Sequence, residues 1–204
     1  RPRHDHEPPV MPPIFHRVVP ADVPPQFDAW WRRFQQLHPR WLFVTWQDPL
    51  DPTAFELSWL WDRCTAGAQL AGLVRLEVVW RFGGVYVDMD FEPRRPFDPL
   101  LDNQLFIGTE DGTVLTDAVF GAEARHPGLR AAIDAFHNGF WSPNPSVTGP
   151  LHTTAHLRGR DDVTVVPTDR FYPYLWTEPE RAGEPFPDAY AIHRWNHSWR
   201  NWQR

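Results

Sequence analysis

The 204-residue chain contains no lysine; its 20 basic residues other than histidine are all arginine. Set against 26 acids they leave a net charge of -6, which argues against nucleic acid as a partner. A single cysteine, Cys64, excludes an intramolecular disulfide and a cysteine-based zinc site, and it suits a reducing cytoplasm. No apolar run is long enough to span a bilayer and no signal peptide is visible, so the expectation is a cytoplasmic protein without a transmembrane segment. Internal repeats, a linker and a composition break are also missing. Residues 1–10 read as a loose polar lead-in, and 11–204 as one domain with a sizeable core.

What the chain does have is one highly ordered stretch, Ala71 to Glu92. Leu70, Leu73, Val74, Val78 and Phe82 recur at spacings of three and four, which predicts a helix ending at Phe82. Glu77 and Arg81, four apart, are expected to pair on its wet side. Gly83-Gly84 stops the helix in a tight turn. Val85 to Asp90 then alternates. Val85, Val87 and Met89 take one strand face, and Tyr86, Asp88 and Asp90 the other. Two carboxylates on one face lie roughly 7 Å apart. Their repulsion is relieved by a shared proton or cation, and a hard divalent ion with open positions for phosphate oxygens suits them. Arg75 is ringed by Ala71, Gly72, Val78 and Val79, so its guanidinium needs a fixed anion or a route to water.

The order R-L-E-V-V-W-R-F-G-G-V-Y-V-D-M-D over residues 75–90 resembles the R-Y-x-x-L-Y-x-x-G-G-x-Y-x-D-x-D signature of glycosyltransferase family 32 and, more distantly, of the large clostridial glucosylating toxins. That resemblance implies an α/β fold of GT-A type: a Rossmann-like, mostly parallel central sheet with flanking helices in a single compact domain. It also implies a nucleoside-diphosphate sugar donor, UDP- or GDP-linked, a divalent metal (manganese, with magnesium possible), and retention at the anomeric carbon. On this reading Asp90 binds the metal and Asp88 lies beside it, touching metal, ribose or sugar. Arg75 and Tyr86 join Asp88 on the donor side.

Further segments extend the resemblance from Met11 to Trp199. The strand Met11 to Pro20 resembles the family's opening strand and places His16 near the donor, although Val19 stands where the family has tryptophan. Pro24-Pro25 opens a helix from about Gln26 to Leu37, Trp41 to Trp46 reads as a buried strand, and Thr53 to Arg63 as a second helix. Gly72 occupies a position where the family carries aspartate. Phe91 to Asp102 reads as a proline-rich loop, Leu105 to Asp111 as a strand, and Val163 to Pro167 as another. Val114 to Ala122 resembles a segment near the acceptor. His126-Pro127-Gly128 starts a helix running to about His137, and the Thr148-Gly149-Pro150 motif starts another. Glu110, Asp111 and Asp117 are the acids available to flank the acceptor or the transferred sugar; Glu110 and Asp117 join Asp88 as catalytic candidates. The closing segment from Tyr190 to Trp199 implies His193 as the second metal ligand, with Asn196, Ser198 and Trp199 along the diphosphate.

Of the 12 tryptophans, Trp30, Trp31, Trp59, Trp61 and Trp80 have helical neighbours and read as packing residues. Trp195, Trp199 and Trp202 either stack on sugar or base, or cap the core. The leading reading is a retaining, metal-dependent, hexosyltransferase-like enzyme, its acceptor a glycan, lipid, protein or small molecule. The alternatives are a GT-A module that binds nucleotide-sugar or glycan without turnover, and a phosphohydrolase built on Asp88 and Asp90.

Overall fold

A computed structural model describes residues 11–196. Its elements run β1 (Ile14–Val19), α1 (Pro25–Leu37), β2 (Leu42–Gln47), α2 (Gly67–Phe82), β3 (Gly84–Val87) and β4 (Phe91–Pro93), then β5 (Leu105–Thr109), β6 (Leu115–Ala122), α3 (Pro127–His137), α4 (His152–Leu157), β7 (Val163–Val166) and β8 (Ala191–His193). Six strands form one sheet in the order β2-β1-β3-β6-β5-β7. β1 runs parallel to β2 and β3, β7 runs parallel to β5, and β6 is antiparallel to both its neighbours. β4 and β8 make a separate antiparallel pair.

Helices cover both sheet faces. Leu70, Leu73, Val74 and Val78 of α2 pack with Tyr86, Phe120, Ile133 and Phe136 on one side. On the other, Trp31 and Phe34 of α1 meet Phe15, Val85, Phe91, Phe97, Phe106 and Phe171. Proline at the first turn starts α1, whose Phe27, Trp31 and Phe34 share one face. α2 is buried on nearly every side from Gly67 to Val79, as befits a helix lying between layers rather than on the surface. Among the described residues no helix is long and apolar enough to cross a membrane.

The Gly-Gly turn forms as read. Gly83 and Gly84 have φ of +68° and +94°, and a Cβ on Gly84 would stand 2.6 Å from the Ile14 carbonyl oxygen. Other expectations need correction. Glu77 is not on a wet face: it is buried, and its two oxygens accept the Glu56 and Leu57 backbone N–H groups at 2.8 Å each. Arg81 instead donates to the Ala54 carbonyl. The expected helix over Thr53–Arg63 is two 3-10 turns, Pro52–Ala54 and Ser58–Arg63, around the buried Phe55 and Leu57. β2 is a half-exposed edge strand, because only β1 pairs with it. Trp59, read as packing, is 51% exposed. The supposed loop after Asp90 holds β4 and a 3-10 turn at Asp98–Leu100.

Candidate active site

The DxD aspartates do not lie on the strand. β3 ends at Val87, and Asp88 to Asp90 form a turn closed by Phe91 N–H on the Asp88 carbonyl. The backbone N–H of Asp88 still reaches Ala118 O at 2.8 Å, so the turn hangs from β6. This places both acids beyond the end of a central strand that has a parallel neighbour on one side and an antiparallel one on the other, where open α/β sheets form their crevices.

Two groups of side chains meet there. The first centres on Arg75. Its Nη1 donates to Asp117 O at 2.7 Å and lies 3.5 Å from Asp88 Oδ1 and 3.8 Å from Asp117 Oδ1. The guanidinium also sits 4.8 Å from the Tyr86 ring centroid. Tyr86 OH donates to Asp88 Oδ1 at 2.5 Å. Burial opposes the charge on Arg75, but Asp88, Tyr86 and Asp117 outweigh it and hold the cation firmly. Asp88 is pushed up by burial and by Asp90, in spite of Arg75. Both pKa values rise, with opposite effects on charge: two acids favour the Arg75 cation, whereas burial and Asp90 disfavour the Asp88 anion. Tyr86, which the sequence reading puts on the donor side, is fully buried and outside the pocket lining, and it touches the site through Asp88 and Arg75.

The second group is made by the β4–β8 ladder. Pairing Phe91 with His193 sets the imidazole beside Asp90. His193 Nε2 lies 3.3 Å from Asp90 Oδ1, and the Asn196 backbone N–H donates to Asp90 Oδ2 at 3.2 Å. Burial would strip the proton from His193, yet Asp90, Asp88 and Glu110 raise its pKa above the ordinary value. Burial likewise opposes ionisation of Asp90, and His193 and the Asn196 N–H overcome it, so that carboxyl is lowered.

A divalent ion fits this pair. Donor atoms each about 2.1 Å from one ion, at right angles, stand about 3 Å apart, close to the 3.3 Å between Asp90 Oδ1 and His193 Nε2. His193 Nδ1 is buried with no partner among the described residues, so the ring has only its Nε2 edge committed to Asp90. Among the described residues no set of three or more His, Cys, Asp or Glu side chains is arranged to hold a metal. The protein would supply two donors, leaving other positions to ligand oxygens. Asp88, whose Oδ1 is held by Tyr86 and Arg75, stands next to that pair.

A pocket of about 330 Å³ joins the groups. Arg75, Asp88, Asp90, Glu110, Asp117 and His193 all line it. Glu110 accepts from Thr116 Oγ1 at 3.3 Å, and burial pushes its carboxyl up. Asp111 is absent from the lining: it is exposed and closes a turn by accepting the Thr113 and Val114 N–H groups. His16 is a second correction. It is buried, with Nε2 on Gly83 O at 2.9 Å and Nδ1 accepting from Trp46 Nε1 at 3.3 Å. Both ring nitrogens are used behind the pocket, and burial takes the pKa to about 4. Asn196 reaches the site with its backbone while its side chain is outside the lining; Ser198, Trp199 and Trp202 fall outside the described residues. Trp195 both lines the pocket and caps the core, its ring edge-on to His193 and its Nε1 on Tyr174 O. Gly72 faces open space: a Cβ there would meet nothing within 4 Å. The reading of the sequence missed the opposite wall, Pro145, Ser146, Gly149 and Pro150, together with Trp176. The Thr-Gly-Pro motif marked part of that wall as a helix start only.

Known proteins resemble this chain in sequence over part of its length and in fold. The family described as glycosyltransferase sugar-binding region containing DXD motif matches residues 24–107, which include Arg75, Asp88 and Asp90 and stop short of Glu110, Asp117 and His193. A mannosyl phosphorylinositol ceramide synthase of Saccharomyces cerevisiae is 25% identical over 160 residues, covering 72% of this chain and 43% of its own length. Inositol phosphoceramide mannosyltransferase 2 of Schizosaccharomyces pombe is 24% identical across 95% of this chain and 59% of its own. Lactosylceramide 4-alpha-galactosyltransferase of Homo sapiens is 26% identical across 62% and 41%. The chain thus spans about half the length of the curated relatives it matches. Among solved structures, the galactosyltransferase LgtC in complex with donor and acceptor sugar analogs superposes with a TM-score of 0.55 at 10% identity, covering 91% of this chain and 88% of that one. The PaToxG glycosyltransferase gives 0.53 at 12%, covering 72% and 68%. Residues 24–107 are therefore similar to the DXD-containing glycosyltransferase sugar-binding region, and the chain as a whole has a GT-A fold.

Proposed function

We propose that this chain is a metal-dependent, retaining glycosyltransferase that moves a hexose from a UDP- or GDP-linked sugar to a hydroxyl of an acceptor. The observation that carries the reading is the pocket in which the Asp90–His193 pair faces the Asp88–Arg75 pair. Asp90 and His193 would hold the divalent ion, manganese being favoured by an imidazole donor. When bound, the ion supplies positive charge to the departing diphosphate. Arg75 adds a second fixed cation on the same wall, where it needs no reorganisation as charge develops. Asp88, aimed by Tyr86, receives a hydroxyl of the ribose or the sugar. Glu110 and Asp117 line the remaining wall as hydroxyl acceptors for sugar or acceptor. The names of the curated relatives support a sugar or polyol acceptor: they specify lactosylceramide and inositol phosphoceramide.

The test is release of nucleoside diphosphate from UDP- and GDP-sugars with and without manganese, alongside thermal shift by each nucleotide. Asp90→Asn and His193→Ala should each lose turnover by about a hundredfold or more, and lose the manganese-dependent part of the shift. Full activity in both variants would sink the metal assignment. A parent protein that binds nucleotide but never turns it over supports the binding-module reading, whose ground is the lack of a carboxylate at Gly72.

A further inference from the structure

Among the described residues six large apolar side chains are strongly exposed: Leu42, Trp59, Phe82, Leu151, Val165 and Trp176. Of these, Trp176 alone lines the pocket, and it is 60% exposed. Trp59, the other strongly exposed tryptophan among the described residues, rests near the His137 ring at 6.2 Å. No ring, guanidinium or hydrogen-bond partner engages Trp176 among the described residues.

The segment that presents it is nonetheless braced. Glu178 N–H donates to Leu175 O at 2.9 Å, and Leu175 N–H donates back to Glu178 Oε2 at 2.9 Å. Arg181 Nη1 pins the same carboxylate at 3.2 Å. Just before the turn, Tyr174 is buried and its carbonyl accepts from Trp195 Nε1. A large aromatic face is thus held out at the pocket mouth on a fixed hairpin of chain, at a position where folding gains nothing from it.

Deeper on the wall, Asp117 shows the opposite deficiency. Its side chain is 5% exposed, and Oδ2 is buried with no hydrogen-bond partner among the described residues. Buried carboxylate oxygens without a donor are costly. A ligand that completes both must bring an apolar ring face and hydroxyl donors together. A pyranoside does so: its axial C–H face stacks on indole and its hydroxyls donate to carboxylates. A lipid chain or a membrane surface satisfies only the first demand. Arg181, the basic residue beside Trp176, is paired with Glu178 and Glu184, and Glu180 adds a further acid, so this stretch does not draw anionic headgroups.

We propose that Trp176 is the stacking platform of an acceptor subsite for a glycoside, with Asp117 accepting one of that ligand's hydroxyls or a hydroxyl of the sugar being transferred to it. The inference rests on the glycosyltransferase reading and names its acceptor class.

The experiment uses the 204-residue chain with magnesium and whichever of UDP or GDP gives the larger thermal shift. Saturation-transfer NMR is recorded with methyl α- and β-glucoside, galactoside and mannoside, and with methyl lactoside. At least one should bind, with transfer strongest at ring C–H protons. Trp176→Ala should raise its Kd about tenfold, and Trp176→Phe about threefold, since phenyl keeps a smaller stacking face. Both variants should keep the nucleotide shift. Unchanged glycoside binding in Trp176→Ala would overturn the inference while leaving the donor site standing. So would failure of every glycoside to bind, or Trp176-dependent sedimentation with phosphatidylcholine–phosphatidylserine vesicles. Absence of any nucleotide shift in the parent would instead remove the glycosyltransferase reading, and the acceptor subsite with it.

Discussion

Replacing Arg75 by methionine tests the electrostatics of the pocket wall more sharply than any change at the aspartates. The guanidinium is buried between two carboxylates, at 3.5 Å from Asp88 and 3.8 Å from Asp117, whose side chains are 29% and 5% exposed. Methionine fills a similar volume but leaves the two acids facing each other across an apolar gap. Removing one member of a buried ion group costs about 3–5 kcal/mol. For a chain of this size each kcal/mol lowers Tm by about 2–4 °C, so the expected fall is about 6–20 °C. Lysine at the same place keeps the charge and loses the fork that bonds Ala71 O and Asp117 O, with an expected cost of about 1–2 kcal/mol. Urea unfolding followed by circular dichroism gives both numbers. The double variant Arg75→Met/Asp88→Asn separates charge from packing. It should be at least about 1 kcal/mol more stable than the sum of the two single effects predicts, because the uncompensated anion is gone. A loss below about 1 kcal/mol in Arg75→Met, or strict additivity in the double variant, would refute the account.

Two further outcomes are open to measurement. His16 is lowered by burial to about 4, so between its unfolded value of about 6.5 and that value only the unfolded chain takes up the proton; stability is full above pH 6.5 and falls as pH drops toward 4, by about 3 kcal/mol from this group. His16→Gln should reduce the slope of unfolding free energy against pH in that window by about one proton, and an unchanged slope would show that His16 is not the group responsible. Gly84→Ala should destabilise by more than about 2 kcal/mol in urea, because φ is +94° and the new Cβ would stand 2.6 Å from Ile14 O; a near-neutral result would mean that the β1–β3 edge yields easily.

The parts of the molecule legible in the chain are those where neighbours in sequence are neighbours in space. The end of α2 at Phe82, the Gly83-Gly84 turn and the strand from Val85 to Val87 follow from spacings of one to four residues, whereas the turn that carries Asp88 and Asp90 off that strand does not. Where a partner arrives from far away, local pattern misleads. Glu77 and Arg81 have the spacing of a surface pair, yet a distant turn at Glu56-Leu57 claims the carboxylate and buries it. His16 matches a family position, but Trp46 and Gly83 take both of its nitrogens. β4 and β8 are three residues each, too short to show a period, so the proline-rich run after Asp90 gave no sign of a strand. His193 was reached through the closing segment's resemblance, and the ladder that explains its position became visible only in three dimensions. Trp176 carried no local signal, since an exposed tryptophan on a turn reads the same as a buried one.

The β4–β8 ladder also has a consequence in time. The six-stranded sheet draws all its strands from residues 14–166, whereas the partner of Asp90 sits in the last strand, at Ala191–His193. The sheet, α2 and the Arg75–Asp88 contact are all built from residues 14–166, and His193 belongs to none of them. A chain that has folded its sheet still lacks the Asp90–His193 contact, and docking of one short strand completes it. Formation of the Asp90–His193 contact is thus separable from folding of the scaffold, and a chain ending ahead of Ala191 would keep every strand of the sheet while Asp90 lacked its imidazole partner.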